Sequence, residues 1–515
     1  MLVYVAKHST VTELTHTVTR RNIEPGLGVV IAITGAITIV RLVGLMASNV
    51  DLFVDESQYW SWSRELAWGY FSKPPLLAWV INIATSVCGD GEACIRAPSP
   101  VFHFATSVIM YLTALRLYGP VVGFWAALLM MFGPGLVFSS RIISTDVPLI
   151  FFWALALLAY VSLLERFSWR WTAVLGLSLG FGLLAKYAMI YFLLGMLLAA
   201  CWDRRAHDLL RSRAAWLAFG VAAVIFAPNL IWVMQHNGVT FWNIVSVVQT
   251  DEKTGWNPLA VFEFLAAQFG VFGPVVFAVL LIAITKLRSP KEIPASRVML
   301  AFAIPPLAII TLVALFSHAY ANWAAVSVVS STIFAAAALV NHKAWRWLSF
   351  SLALGVLVQG ALLFGDAAAY RIAIPLLPPG KSDIYNRTLG LRALADEVGR
   401  FAAQVGANTI VGEDRRAVAA LLYYQRNAPQ QILAWPSSTS PSFDLTRPLT
   451  ETAKPPILFV TECPFSKRLS VYYDVVELIG EIRAPTGPTS KRYNAVFRLD
   501  GAKRAQTALP KCVRE

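Results

Sequence analysis

The feature that most constrains this chain is a series of long apolar blocks separated by short basic loops. A helix needs about 20 apolar residues to cross a hydrocarbon core of roughly 30 Å. Residues 27–48 meet that length, and further blocks fall at 100–117, 121–138, 147–164, 172–185, 187–201, 214–234, 259–285, 298–316, 322–340 and 346–364. Of 515 residues, 57% are hydrophobic and only 14% charged, with a mean hydropathy of +0.59. Soluble domains carry about 25% charged residues. A water-soluble enzyme, a nucleic-acid binder and a disordered chain are excluded on that ground. A membrane β-barrel is excluded too, because its strands alternate apolar and polar positions. The expected fold is an all-α polytopic membrane protein with about 11–13 transmembrane helices.

Basic residues set the orientation, because Lys and Arg gather in cytoplasmic loops. With residues 1–26 as a cytoplasmic N-terminus, the inner loops hold Arg116, Arg166, Arg170, Arg204, Arg205, Arg211, Arg213, Lys286, Arg288, Lys291, Arg297, Lys343 and Arg346. The outer loops hold Arg64, Lys73, Arg96, Arg141, Lys186 and Lys253. Loop 49–99, turn 139–146, loop 235–258 and everything after 365 are then outside. The same bias accounts for the formal charge of +13 without nucleic acid as a partner.

The membrane domain covers 27–364, and 365–515 is different material. It opens on a Pro-rich linker (Pro375, Pro378, Pro379, Gly380), followed by a helical pattern at 388–404 and a strand in Asn408–Arg416. A helix at 415–426, a strand at Pro456–Glu462 and a strand near 493–499 complete a small outer α/β domain. Cys88 and Cys94 share the outer loop, and Cys463 and Cys512 share the outer tail. Each pair is free to form a disulfide in an oxidising compartment, whereas Cys201 is an inner-face thiol.

The chemistry concentrates in loop 49–99, which is long for a connection and rich in acid: Asp51, Asp55, Glu56, Glu65, Asp90 and Glu92. Its centre reads DESQYWSWSRELAWGYFSKPPLLAW, Asp55–Trp79. Tyr59, Trp60, Trp62, Trp68 and Tyr70 suit a membrane–water interface. Pro74 and Pro75 fix a helix start, and the apolar run 76–88 is too short to span, so it lies in the interface or dips partway in. Lys73 is thereby held at headgroup depth, either snorkelling or binding a lipid-linked phosphate. Asp146 opens the span after turn 139–146, either as an acid favoured at a helix start or as a functional carboxylate. Asp55 falls at the same depth. Two carboxylates and a lysine on one side make an active-site candidate. His103, His236 and His318 stand singly, without the spacing of zinc ligands. No dinucleotide fingerprint or P-loop is present.

The pattern Asp55-Glu56, Tyr59, Gly69-Tyr70-Phe71, Lys73-Pro74-Pro75-Leu76, then Thr145-Asp146 and Pro148-Leu149, resembles the bacterial GT-C glycosyltransferases that use lipid-linked sugars. These are related to protein O-mannosyltransferases and to the lipid A aminoarabinose transferase. GLLAKYAMIYF (Gly182–Phe192), PNLIWVMQHNGVTF (Pro228–Phe241), QFGVFGP (Gln268–Pro274), YANWAAVS (Tyr320–Ser327) and GEDRRAVAALLYY (Gly412–Tyr424) extend the resemblance over about 27–425. The subgroup it is most similar to is the rhizobial lipopolysaccharide galacturonosyltransferases. The resemblance implies a GT-C fold and a periplasmic active site in the bacterial inner membrane. Asp55 would be the general base, with Asp146 organising the site or the acceptor and Glu56 orienting its neighbours among the catalytic carboxylates. Lys73, with Lys186 as a second candidate, would bind the donor phosphate, and Tyr59 and Tyr70 would position substrate. Ser72 stands where the aminoarabinose-type enzymes carry an acid, so a divalent metal is not indicated. The expected reaction is inverting transfer of a sugar (galacturonic acid, aminoarabinose or mannose) from a polyprenyl phosphate to an envelope acceptor, with lipopolysaccharide core or lipid A favoured. A flippase of lipid-linked sugar, a protein O-mannosyltransferase and a non-catalytic scaffold are the competing readings.

Overall fold

The structure, a computed structural model, describes residues 26–249, 255–285, 294–373, 382–437, 442–450, 453–510 and 512. The expected cytoplasmic N-terminus up to residue 25, Lys253, the inner-loop cations Lys286, Arg288 and Lys291, and the linker from Pro375 to Gly380 lie outside the described residues.

Among the described residues, six helices are long and apolar enough to cross a membrane: Leu27–Met46 (α1), Glu92–Tyr118, Asp146–Glu165, Arg213–Gln235, Ala295–Phe316 and Trp345–Ala367. Shorter apolar helices fill the remaining blocks. The 259–285 block, expected as one span, is two helices, Pro258–Val271 and Pro274–Thr285. They break at Gly273, whose φ of +87° is a left-handed value open to glycine, and Pro274 cannot donate back into the preceding turn. The 121–138 block breaks likewise at Gly133-Pro134, giving Pro120–Phe132 and Pro134–Ser139. The blocks at 187–201 and 322–340 each open on a 3₁₀ turn, Tyr187–Ile190 and Ala321–Ala324. Both turns lie at the level of the site described below.

Six helices from the long outer loop and the spans after it frame the site. Val54–Arg64 (α2) is polar yet largely buried, and Leu76–Cys88 (α3) is the short apolar helix that follows the two prolines. Pro98–Tyr118 (α4) packs against Asp146–Glu165 (α5), the most enclosed of the long helices. Trp169–Ala185 (α6) lies on α5's other side, and Arg213–Gln235 (α7) packs on α6. The bundle core is a set of tilted and edge-on aromatic rings: Trp153 and Tyr160 of α5, Phe192 and Phe302, with Phe192 and Phe302 4.6 Å apart between centroids. A rigid α5 fixes its first residue, Asp146, in place.

The C-terminal domain is a five-stranded sheet with helices Leu391–Val405 (α8) and Arg415–Tyr424 (α9). Its strands are β1 (Thr409–Gly412), β2 (Gln431–Ala434), β3 (Ile457–Thr461), β4 (Tyr473–Pro485) and β5 (Lys491–Ala502), in the spatial order β2-β1-β3-β5-β4. β1 runs parallel to β2 and β3, and β5 is antiparallel to β3 and β4. The expected strand over 408–416 is shorter, because Asp414 leaves it to cap α9 through the amides of Arg416 and Ala417 (2.7 and 2.9 Å). Two strands go beyond the sequence reading. β2 has only four residues, and β4 is an edge strand whose exposed, charged positions mask its alternation. Cys88–Cys94 and Cys463–Cys512 are both joined, with Cα atoms 5.9 and 5.7 Å apart, and Cys201 is an exposed thiol.

Candidate active site

The outer loop is held by a buried ion pair. Glu56, in the first turn of α2, accepts from Arg96 Nε (2.9 Å) and Nη2 (2.7 Å), from the Ile143 amide (3.0 Å) and from the Phe53 amide (2.9 Å). Arg96 spends its remaining donors on the carbonyls of Val50 and Asp51 (2.9 and 2.8 Å). Both side chains are almost wholly buried, and every strong lone pair of the carboxylate is engaged. Glu56 therefore ties the start of the loop, α2 and the turn before α5 into one unit.

Tyr70 is also turned inward. Its hydroxyl accepts from the Ala67 amide and faces the carbonyls of Trp62 and Glu65 (2.9 and 3.1 Å), while its ring stacks on Trp62 at 4.7 Å. These contacts close the loop that presents Lys73. Gly69 makes that closure fit, since a Cβ there would collide with the Trp232 ring of α7. Nearby, Asn229 of α7 donates to the Trp68 carbonyl (2.6 Å), and Thr240 donates to that of Tyr70 (3.0 Å).

The remaining candidates converge. Asp146 Oδ1 accepts from Lys186 Nζ (2.7 Å), and its Oδ2 accepts from the Asn322 amide (2.7 Å). Asp55, one residue before Glu56 and on the open side of α2, is paired with Arg415 of α9. Arg415 Nε donates to Gln58 Oε1 (2.7 Å), and Gln58 in turn donates to Ser442 (2.9 Å). Lys73 is partly buried; its carbonyl accepts from the Tyr70 amide (3.1 Å), and its ammonium has no hydrogen bond or ion pair among the described residues. Burial, and then the charge of Lys186, lower its pKa, and Asp55 and Asp146 pull the other way. Tyr59, buried on α2, is pushed well above the ordinary tyrosine range by burial and by the charge of Asp55. The two carboxylates, the two lysines, Tyr59 and Arg415 thus form one electrostatic cluster at one end of the bundle.

Arg415, Asn322, Gln58 and Arg96 were not singled out from the sequence as site residues. Arg415 and Asn322 lie inside the GEDRRAVAALLYY and YANWAAVS segments, so their neighbourhoods carried a signal. Their partners lie 360 and 176 residues away, which no local pattern encodes. Among the described residues, no three His, Cys, Asp or Glu side chains come together as a metal site.

Residues 72–232 match the family model described as dolichyl-phosphate-mannose-protein mannosyltransferase. The lipid A galacturonosyltransferase RgtD of Rhizobium johnstonii is 35% identical over 440 residues, 83% of this chain and 90% of that protein. The chain belongs to the rhizobial lipopolysaccharide galacturonosyltransferase family. The galacturonosyltransferase family in turn shares its fold with a solved enzyme, ArnT from Cupriavidus metallidurans. That apo structure covers 91% of this chain and 97% of its own, at a TM-score of 0.62 and 14% identity. A second structure of ArnT, bound to undecaprenyl phosphate, matches at a TM-score of 0.60 and 18% identity. The fold is thus the GT-C architecture, a multi-pass membrane protein with a small C-terminal sheet domain, and the galacturonosyltransferase family places the chain among membrane glycosyltransferases.

Proposed function

We propose that this chain transfers galacturonic acid from a polyprenyl phosphate to a lipopolysaccharide acceptor, lipid A or core, at the outer face of the bacterial inner membrane. The reading rests on one observation above others: Lys73, a cation without an ion pair among the described residues, stands in a cluster with the carboxylates Asp55 and Asp146. A prenyl tail stays in lipid, so the reacting carbon of such a donor sits at the membrane surface, where α2 and α3 present these groups.

The acceptor hydroxyl gives its proton to Asp55 as its oxygen bonds to the anomeric carbon. The bond from that carbon to the phosphate oxygen breaks, and its electron pair leaves on the polyprenyl phosphate. Lys73 neutralises the charge that develops there, with Lys186 close enough to share it. A single displacement inverts the anomeric carbon. Asp146, held by Lys186 and Asn322, organises the floor of the site, and Tyr59, buried on α2 where the charges of both carboxylates reach it, is the group assigned to position substrate. The extracytoplasmic side is supported by two disulfides, one in the catalytic loop and one in the C-terminal domain, since disulfides persist in oxidising compartments.

Asp55→Asn and Lys73→Ala should each lower transfer by about 100-fold or more without preventing membrane insertion, as expected for loss of a general base or of leaving-group stabilisation. The assay mixes detergent-solubilised protein with galacturonosyl polyprenyl phosphate and lipid A. Full activity in either variant would overturn the assigned role. Mass spectrometry of envelope glycolipids from a strain lacking the gene should show the loss of one hexuronate, and an unchanged profile would overturn the choice of sugar.

A further inference from the structure

Arg415 has more donor capacity than the protein uses. Its Nε serves Gln58 and one Nη2 hydrogen serves Asp55, and among the described residues it makes no other hydrogen bond or ion pair. A guanidinium carries five N–H donors. Both Nη1 hydrogens and one Nη2 hydrogen are unspent, and one Nη1–H paired with one Nη2–H is an edge that takes a carboxylate through two parallel bonds. The side chains of Arg415 and Asp55 are 38% and 41% exposed, so this edge is open to a substrate. A pair that exposed is weak, and an incoming anion can share the guanidinium.

The charges around it point the same way. Arg96 balances Glu56 and Lys186 balances Asp146. Lys73 remains for the single negative charge of a phosphodiester. A uronic acid brings a second negative charge; Arg415 already balances Asp55, but its unused N–H groups remain as donors that a carboxylate in this cluster could take. Position agrees as well. Arg415 is bonded to the carboxylate that receives the acceptor's proton, so it lies beside the anomeric carbon. In a hexuronate, the carboxylate is bonded to C5, which the ring oxygen joins to that carbon.

We propose that Arg415 is a specificity residue, supplied by the C-terminal domain, that reads a carboxylate of the substrate next to the reacting centre. The carboxylate belongs to a uronic acid, on the donor sugar or on an acidic sugar of the acceptor. The proposal rests on the functional reading above and names its charge selectivity.

Full-length protein carrying Arg415→Gln or Arg415→Lys tests this. Two donors are compared, galacturonosyl and galactosyl polyprenyl phosphate, which differ in bearing a carboxylate or a hydroxymethyl group. Each is paired with a native or a carboxyl-reduced acceptor. In Arg415→Gln, kcat/KM with the galacturonosyl donor should fall about 10- to 100-fold, the worth of one charge-assisted hydrogen-bonded pair. Loss of the ion pair to Asp55 lowers transfer from both donors alike, so the readout is the ratio of kcat/KM for the galacturonosyl over the galactosyl donor, which should fall by that factor. Arg415→Lys keeps the charge but not the fork and should fall between, which covers the case of a glutamine variant that does not fold. A loss that follows the acceptor's acid instead assigns the carboxylate to the acceptor. Equal losses over all four pairs, or unchanged selectivity in both variants, would overturn the proposal and leave Arg415 as a support for Asp55. No transfer by the unaltered protein from either donor would overturn the functional reading itself, a result distinct from transfer with unchanged selectivity.

Discussion

Lys73 is a partly buried cation without an ion pair among the described residues. Burial and the neighbouring Lys186 lower its pKa, so in the empty site its positive charge is lost at a lower pH than that of a free lysine. The protonated form is the one that binds phosphate. Affinity for the donor is therefore full at low pH and declines as pH rises through the lowered pKa. Because kcat/KM reports the free enzyme, its alkaline limb should fall below the ordinary lysine value of about 10.4. Lys73→Arg keeps the charge over the whole range, so that limb should move to higher pH in a profile measured with saturating acceptor, even where the arginine lowers the plateau. An unmoved limb would assign the titration to another group. The residue types and positions at this scale, Asp55, Lys73 and Asp146, were readable from spacing, because a long acidic loop and two prolines after a lysine are local features. That Glu56 is locked to Arg96, and Tyr70 folded into its own loop, was not readable, since neighbours on a helix point about 100° apart and nothing local says which of Asp55 and Glu56 stays open.

At the scale of elements, the site is built from a membrane bundle and a sheet domain that clasp each other. The carboxyl end of β1 leads through Asp414 into α9, and α9 lies along α2. Tyr424, at the far end of α9, accepts from the Leu52 amide (2.8 Å) and donates to Glu92 (2.6 Å), while Tyr423 donates to the Asp90 carbonyl (2.7 Å) and sits edge-on to Trp60. Asp51 in turn accepts from the amides of Leu391 and Arg392 at the start of α8 (3.0 and 3.2 Å). Tyr424→Phe removes one hydroxyl and strands the Leu52 amide, at a cost of about 1–3 kcal/mol. It should lower the midpoint of thermal unfolding in detergent and reduce transfer, although Tyr424 is not itself in the charge cluster. An unchanged midpoint with unchanged transfer would mean that the clasp does not set the loop. The spans were legible because bilayer thickness demands long apolar runs, and the domain's α/β character was legible from its composition and periodicity. The clasp was not, because it joins residues some 300 to 370 positions apart through single polar atoms.

Across the whole molecule, the charge cluster gathers at one end of the bundle, whereas a transport path would carry ionisable groups through its depth. Arg41, a buried mid-span cation, is taken up by Gln359 (2.8 Å) and the Met131 carbonyl, which makes it a brace between helices. The position of Cys201 turns this polarity into a measurement. Lys186 stands at the site, and Cys201 follows it by fifteen residues along one continuous helical path, Tyr187–Ile190 and then Tyr191–Trp202. At 1.5 Å per helical residue that path is about 22 Å long, so the thiol lies toward the opposite face of the bundle. It is exposed, and the other four cysteines are tied in disulfides. If the site faces the periplasm, a membrane-impermeant maleimide should label Cys201 in inside-out vesicles and leave it unlabelled in right-side-out spheroplasts. The four disulfide cysteines should react from the outer side only after reduction. Cys201→Ser should abolish the vesicle signal and leave transfer intact, since the thiol touches nothing in the cluster. Labelling of Cys201 from the spheroplast exterior would place the active site in the cytoplasm and reverse the orientation read from the basic loops.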